Sequence, residues 1–179
     1  MKNFICPALS VIAAVYSVCY ASLGGFKGNS GALSKIGLEH PILFAVWGVL
    51  TFIALAVNII IGYRKTKYKF YIALLILSLI GMVLTILCDF DYEKYGEYIL
   101  HCVGSLTFSA IMGITVFLLF LLSRSYILAA VSGVLLVTDL ILLIVFKETA
   151  FIELMPIFSG YILLCIHNMK KEKILVETK

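Results

Sequence analysis

Charge is what this sequence has least of. Only 13% of its 179 residues are Asp, Glu, Lys or Arg, against about 25% in an ordinary soluble domain. It has no long polar stretch, no internal repeat and no low-complexity segment. It also has no HExxH and no CxxC, so the usual zinc-protease, zinc-ribbon and dithiol-redox motifs are missing. What is left is apolar: 63% of the residues are hydrophobic, and the mean hydropathy is +1.11. A globule of this length has too little interior to hide that much apolar surface. A soluble enzyme, a nucleic-acid reader and a disordered tail are excluded together, and the chain is placed in a bilayer.

About 20 apolar residues cross the hydrocarbon core. Six stretches meet that length: 4–23, 41–63, 70–88, 98–122, 126–146 and 149–168. They are too long, and alternate too little in polarity, for barrel strands. Gly24-Gly25 closes the first. Pro41 opens the second, at a position where a missing N–H costs nothing. The segments 64–67, 89–97, 123–125 and 147–148 separate the others. The expected fold is an all-α integral membrane six-helix bundle forming a single transmembrane domain over 1–179. The loop 24–40 is the longest, and its Leu33, Ile36 and Leu38 suggest a short amphipathic turn lying along the membrane surface.

Charge distribution sets the orientation. Ten basic residues fall on one side: Lys2, Arg64, Lys65, Lys67, Lys69, Arg124, Lys170, Lys171, Lys173 and Lys179. Four fall on the other: Lys27, Lys35, Lys94 and Lys147. The positive-inside rule puts both termini in the cytoplasm of a plasma-membrane, multi-pass protein. Seven of the ten acids (Glu39, Asp89, Asp91, Glu93, Glu97, Glu148 and Glu153) gather on or near the outer side. Lys2, the apolar run and Cys19-Tyr20-Ala21 also fit a signal peptide loosely; the length of the run favours an uncut helix.

Ionisable side chains inside a bilayer are costly, so each marks a candidate site. Asp139 lies within the fifth span, with Ser132 on the same face. His101 opens the fourth, and Ser105 and Ser109 continue its face. Glu153 sits early in the sixth, beside Pro156, whose ring disturbs the carbonyl of Ile152. Asp89 and Asp91 end the third. His101, Ser105, Asp139 and Glu153 are therefore expected to form a polar pocket in the outer half of the membrane. Three readings compete. In the favoured, non-catalytic one, these residues are hydrogen-bonding glue, with Ser105, Ser109, Ser132, Thr138 and freed carbonyls as partners. The protein then contacts membrane lipid or a partner membrane protein, with no cofactor. In the second, His101 with Asp89, Asp91 and Glu153 makes a metal-dependent or acid–base hydrolase at the outer leaflet. In the third, Asp139 and Glu153 carry protons or cations through a small transporter.

Other polar positions suggest structural roles. His40 is read as an N-terminal cap or interface residue, and His167, beside Asn168, as a C-terminal cap. Asn58 is the expected inter-helix hydrogen bonder of the second span. Ser78, Gly81, Thr85 and Cys88 form a small-residue stripe suited to close helix packing. Cys88 and Cys102 lie where a disulfide is possible. Tyr92, Tyr95 and Tyr98 at one interface, and Tyr63, Tyr68 and Tyr71 at the other, fit aromatic belts.

Three pieces together resemble a bacterial family of six-span membrane proteins catalogued as domain of unknown function 998, itself distantly similar to the DRAM/Sfk-like group. They are Ser34-Lys35-Ile36-Gly37 followed by Pro41 and Trp47; Asp89-Phe90-Asp91 followed by His101; and Phe151-Ile152-Glu153. Leu154 stands where that family tends to carry a basic residue. The resemblance implies six helices with both termini inside and implies no established reaction.

Overall fold

The computed structural model describes residues 4–25, 31–64, 66–146 and 149–177. Lys2, Lys27, Lys65, Lys147, Glu148 and Lys179 lie outside the described residues. The helices are α1 (Ile5–Ser22), α2 (Leu33–Glu39), α3 (Pro41–Tyr63), α4 (Tyr71–Leu87), α5 (Tyr95–Leu122), α6 (Tyr126–Phe146) and α7 (Ala150–Glu177). There is no strand among the described residues. α1, α3, α5, α6 and α7 are each long and apolar enough to cross a membrane. α4 has 17 residues, about 25 Å of helix, which is the lower end of the spanning range. The six expected spans are therefore six helices, and α2 is a seventh that does not span. α5 begins earlier than expected, at Tyr95, and α7 continues to Glu177.

Local chemistry explains the ends. Gly25 takes φ 64° after α1, a conformation glycine adopts without steric cost. Pro41 is at the first position of α3, and His40 caps that helix through its carbonyl, which accepts from Phe44 N–H at 3.0 Å. The His40 side chain makes no cap hydrogen bond, so only its position, and not its imidazole, fulfils the expected role. α5 ends in a Schellman arrangement: Ser125 N–H reaches Phe120 O at 2.9 Å and Arg124 N–H reaches Leu121 O at 3.0 Å. Arg124 occupies the left-handed position at φ 56°, where glycine is usual.

α3 and α7 form the centre. α3 packs on α1, α2, α4, α5 and α7, and α7 packs on α1, α3, α5 and α6. α6 is peripheral: Ala129 and Ser132 are buried, while Ile127, Val134, Val137 and Val145 are exposed. Such a surface would aggregate in water and is what hydrocarbon requires. α1 is built into the bundle through Trp47 Nε1–H donating to Ser17 Oγ at 3.0 Å and Asn58 Nδ2–H donating to Ser10 Oγ at 3.2 Å. The chain cut after Ala21 would lose both contacts.

Two glycines set the closest approach. A Cβ on Gly81 would stand 2.7 Å from Phe108 N and 2.8 Å from Gly104 O; one on Gly104 would stand 2.7 Å from Gly81 O. α4 and α5 thus meet backbone on backbone, with Thr85 Oγ1 folded back onto Gly81 O at 2.9 Å. The small-residue stripe of the third span is the contact face.

The end of the bundle bearing Arg64 and Arg124, here the basic end, is pinned by polar contacts. Asn168 Nδ2 donates to Asn58 O at 3.1 Å, joining α7 to α3. His167 is buried within α7, with Nδ1 at 3.3 Å from Ser125 Oγ. It does not cap the helix as expected, because the helix continues past it. Tyr63 also departs from the belt reading. It is 1% exposed, stacks on Tyr71 at 4.6 Å and donates to Thr115 O at 3.1 Å.

Gly104→Val forces α4 and α5 apart at a backbone contact, at a cost of about 1–3 kcal/mol. The melting midpoint of the detergent-purified variant should fall clearly below wild type. Gly96→Ala, where nothing lies within 4 Å, should leave the midpoint unchanged or raise it.

Candidate functional site

α2 is a short helix placed among longer ones, and its polar backbone needs partners. It has no side-chain cap at its start, so its first N–H groups are unsatisfied by the helix itself. Where lipid surrounds the bundle, water does not supply them. Glu153, in the first turn of α7, does: its Oε2 accepts Leu33 N–H at 2.5 Å. Leu33 O in turn accepts the Tyr20 hydroxyl at 2.9 Å. Ala32 and Leu33 are fully buried, and Ser34, Ile36 and Gly37 are buried with them. The expected turn at the membrane surface is instead a plug drawn into the bundle. Of its three apolar residues, Leu38 alone stays exposed.

Ser34 joins two of the candidate residues. Its Oγ lies 2.9 Å from His101 Nε2 and 3.3 Å from Glu153 Oε1. His101 Nδ1 lies 2.9 Å from the Cys88 carbonyl oxygen. A carbonyl only accepts, so Nδ1 carries a hydrogen; the single Ser34 hydroxyl hydrogen then has two acceptors in reach, Nε2 of the neutral ring at 2.9 Å and Glu153 Oε1 at 3.3 Å. The imidazole is 2% exposed and packed between two rings: Phe44 stacks at 6.0 Å and Phe90 meets it edgewise at 5.1 Å. Nothing in this arrangement leaves the ring free to turn.

His101, Ser105, Asp139 and Glu153, together with Ser34, line a cavity of about 430 Å³, within the range of about 300–1,000 Å³ typical of ligand sites. The rest of the wall is apolar, with Met82, Phe108, Leu136 and Ile157 among its members. Leu106, Ile114 and Leu140 also line it and are 50%, 39% and 49% exposed, so one flank reaches the lipid-facing surface between α5 and α6. Asp139 makes none of the contacts above. Among the described residues its buried Oδ1 has no hydrogen-bond partner, and it borders a second cavity of about 60 Å³ with Ser109 and Ser132.

The hydroxyl partners differ from those expected. His101 uses Ser34 and a main-chain carbonyl rather than Ser105 or Ser109. Ser132 Oγ bonds back to Ala129 O at 3.0 Å. Asp89 and Asp91 do not join His101. Asp89 Oδ2 takes Lys94 Nζ at 2.7 Å, and Asp91 Oδ1 takes Glu93 N–H at 3.0 Å. The Asp89 hydrogen bond raises the Lys94 ammonium above its ordinary pKa. Among the described residues no three His, Cys, Asp or Glu side chains gather in a way that would hold a metal ion. None of the five cysteines is in a disulfide, Cys88 and Cys102 included. The tyrosines of the 92–98 stretch partly keep their belt role: Tyr92 and Tyr95 are exposed, and Lys35 Nζ sits 5.7 Å over the Tyr92 ring. The sequence reading missed Ser34 as the bridge. Its one local signal is a small hydroxyl set among Ala32, Leu33 and Ile36.

No family model, curated protein or solved structure matches the chain.

Glu153→Ala leaves Leu33 N–H without its acceptor, a loss of about 1–3 kcal/mol for a buried donor. Its melting midpoint should drop well below that of Glu153→Gln, which keeps an acceptor oxygen. Equal midpoints for wild type and Glu153→Ala would show that the carboxylate does not hold α2.

Proposed function

We propose that this multi-pass protein takes up a membrane amphiphile into the cavity beneath α2. The supporting observation is the character of the cavity. Its α2 end is polar, through Ser34, His101 and Glu153, and its flank is apolar and borders the lipid-facing surface. An amphiphile entering between α5 and α6 would keep its chain among apolar side chains and bring its polar part to the hydrogen-bonding groups. The polar contacts already present cost nothing extra to maintain, because α2 needs them whether or not a ligand is bound.

The orientation follows from charge. The α2 end faces outward and the basic end inward, with both termini in the cytoplasm. The cavity then opens to the outer leaflet of the plasma membrane. Kinship with the six-span bacterial family is proposed on the motifs around Ser34, Asp89, His101 and Glu153 alone. A metal-dependent reaction finds no donor set among the described residues, so the binding role is preferred.

The single tryptophan of the chain supplies the test. Trp47 lines the cavity and is 7% exposed, so annular lipid has little access to it. In reconstituted protein, lipids brominated along the acyl chain should quench Trp47 fluorescence. Ala110→Phe, which narrows the cavity, should remove most of that quenching. Absence of quenching in the wild type, or equal quenching in the variant, would refute uptake into this site.

A further inference from the structure

We propose that Ser34 and His101 act as nucleophile and general base, transferring the acyl group of an ester-bearing membrane amphiphile held in the cavity. The inference rests on the uptake reading above and adds chemistry to it. Three geometrical facts support it. Ser34 Oγ and His101 Nε2 are 2.9 Å apart, within the reach that proton transfer requires. Cys88 O fixes the hydrogen on Nδ1, so Nε2 is the basic nitrogen and it faces the hydroxyl. Both side chains border the cavity whose flank meets the lipid.

The arrangement is that of an activated serine with an oriented histidine, in which a main-chain carbonyl stands where a carboxylate is more familiar. The Ser34 hydroxyl also reaches Glu153 Oε1 as a donor, at 3.3 Å, a longer contact than the 2.9 Å to the imidazole, and the other Glu153 oxygen is committed to Leu33 N–H. The part of Glu153 is positioning: it holds the main chain that carries Ser34. Phe44 and Phe90 hold the plane of the ring. A purely structural serine–histidine contact needs none of its members on a cavity wall, and this one has both.

The step balances without an oxidant or a metal. Ser34 Oγ attacks the ester carbonyl carbon, and its proton passes to His101 Nε2. The tetrahedral adduct collapses, the carbon–oxygen bond to the leaving alcohol breaks, and that oxygen takes the proton from His101. The product is an acyl ester on Ser34. Water or a second lipid hydroxyl, deprotonated by the same imidazole, releases the acyl group and regenerates the serine.

A long-chain alkyl fluorophosphonate tests the nucleophile directly on the full chain in nanodiscs. Mass spectrometry should place the phosphonyl adduct on Ser34 in folded protein and find none in heat-unfolded protein. Folded His101→Gln should label more slowly by about 100-fold or more, the usual worth of a general base. A long-chain nitrophenyl ester should give a nitrophenol burst equal to the protein present, which Ser34→Ala abolishes. The burst does not depend on whether His101→Gln folds. No adduct and no burst from wild type would overturn the chemistry, as would undiminished labelling in folded His101→Gln. If Trp47 is still quenched by brominated lipid in that event, uptake survives and only the reaction falls.

Discussion

A peptide group in hydrocarbon has nowhere to turn for a hydrogen bond except to the protein itself. The six long helices meet that demand within their own ladders. The segment between α1 and α3 does not, because its helix is only seven residues long. It is kept inside the bundle by groups on three other elements: the Glu153 carboxylate from α7, the Tyr20 hydroxyl from α1 and the His101 imidazole from α5. Three costly polar side chains are thus placed around one short stretch of backbone, and the cavity is the space beneath it.

The two ends of the bundle divide the work. At the basic end, Asn58, Asn168, Tyr63 and His167 tie α3, α5 and α7 together, with the α5–α6 turn joined through Ser125. At the other end α4 and α5 are locked by the Gly81–Gly104 contact, whereas α6 stays at the edge with few buried side chains. A rigid pair beside a peripheral helix leaves the α5–α6 boundary as the flank where the cavity meets lipid. The single α6 carboxylate, Asp139, sits at that flank and not among the α2 contacts.

Much of the architecture was legible because the bilayer imposes a length rule. The bounds of α3 and α6 are those of the apolar runs 41–63 and 126–146. Asn58 was identifiable as an inter-helix donor because an amide on an apolar face has few alternatives. The face shared by His101, Ser105 and Ser109 followed from helical spacing, and all three border one cavity. The partners were not legible. Ser34 lies 67 residues from His101 and 119 from Glu153 in the chain, so no spacing rule links them. Leu33 and Ile36 gave the signal of a surface turn because amphipathicity does not tell a helix lying on the membrane from one tucked under it. His167 looked like a helix end because the lysines after it mark the edge of the hydrocarbon, while α7 itself continues.

The claim on which the cavity depends is that α2 is held within the bundle by internal hydrogen bonds. Amide hydrogen exchange on the intact protein in lipid nanodiscs measures this directly. The amides of Leu33 and of the α2 residues bonded to Ala32, namely Lys35 and Ile36, should exchange slowly, in the same class as the α3 interior. Exchange of these amides as fast as that of the exposed 92–94 segment would contradict the account.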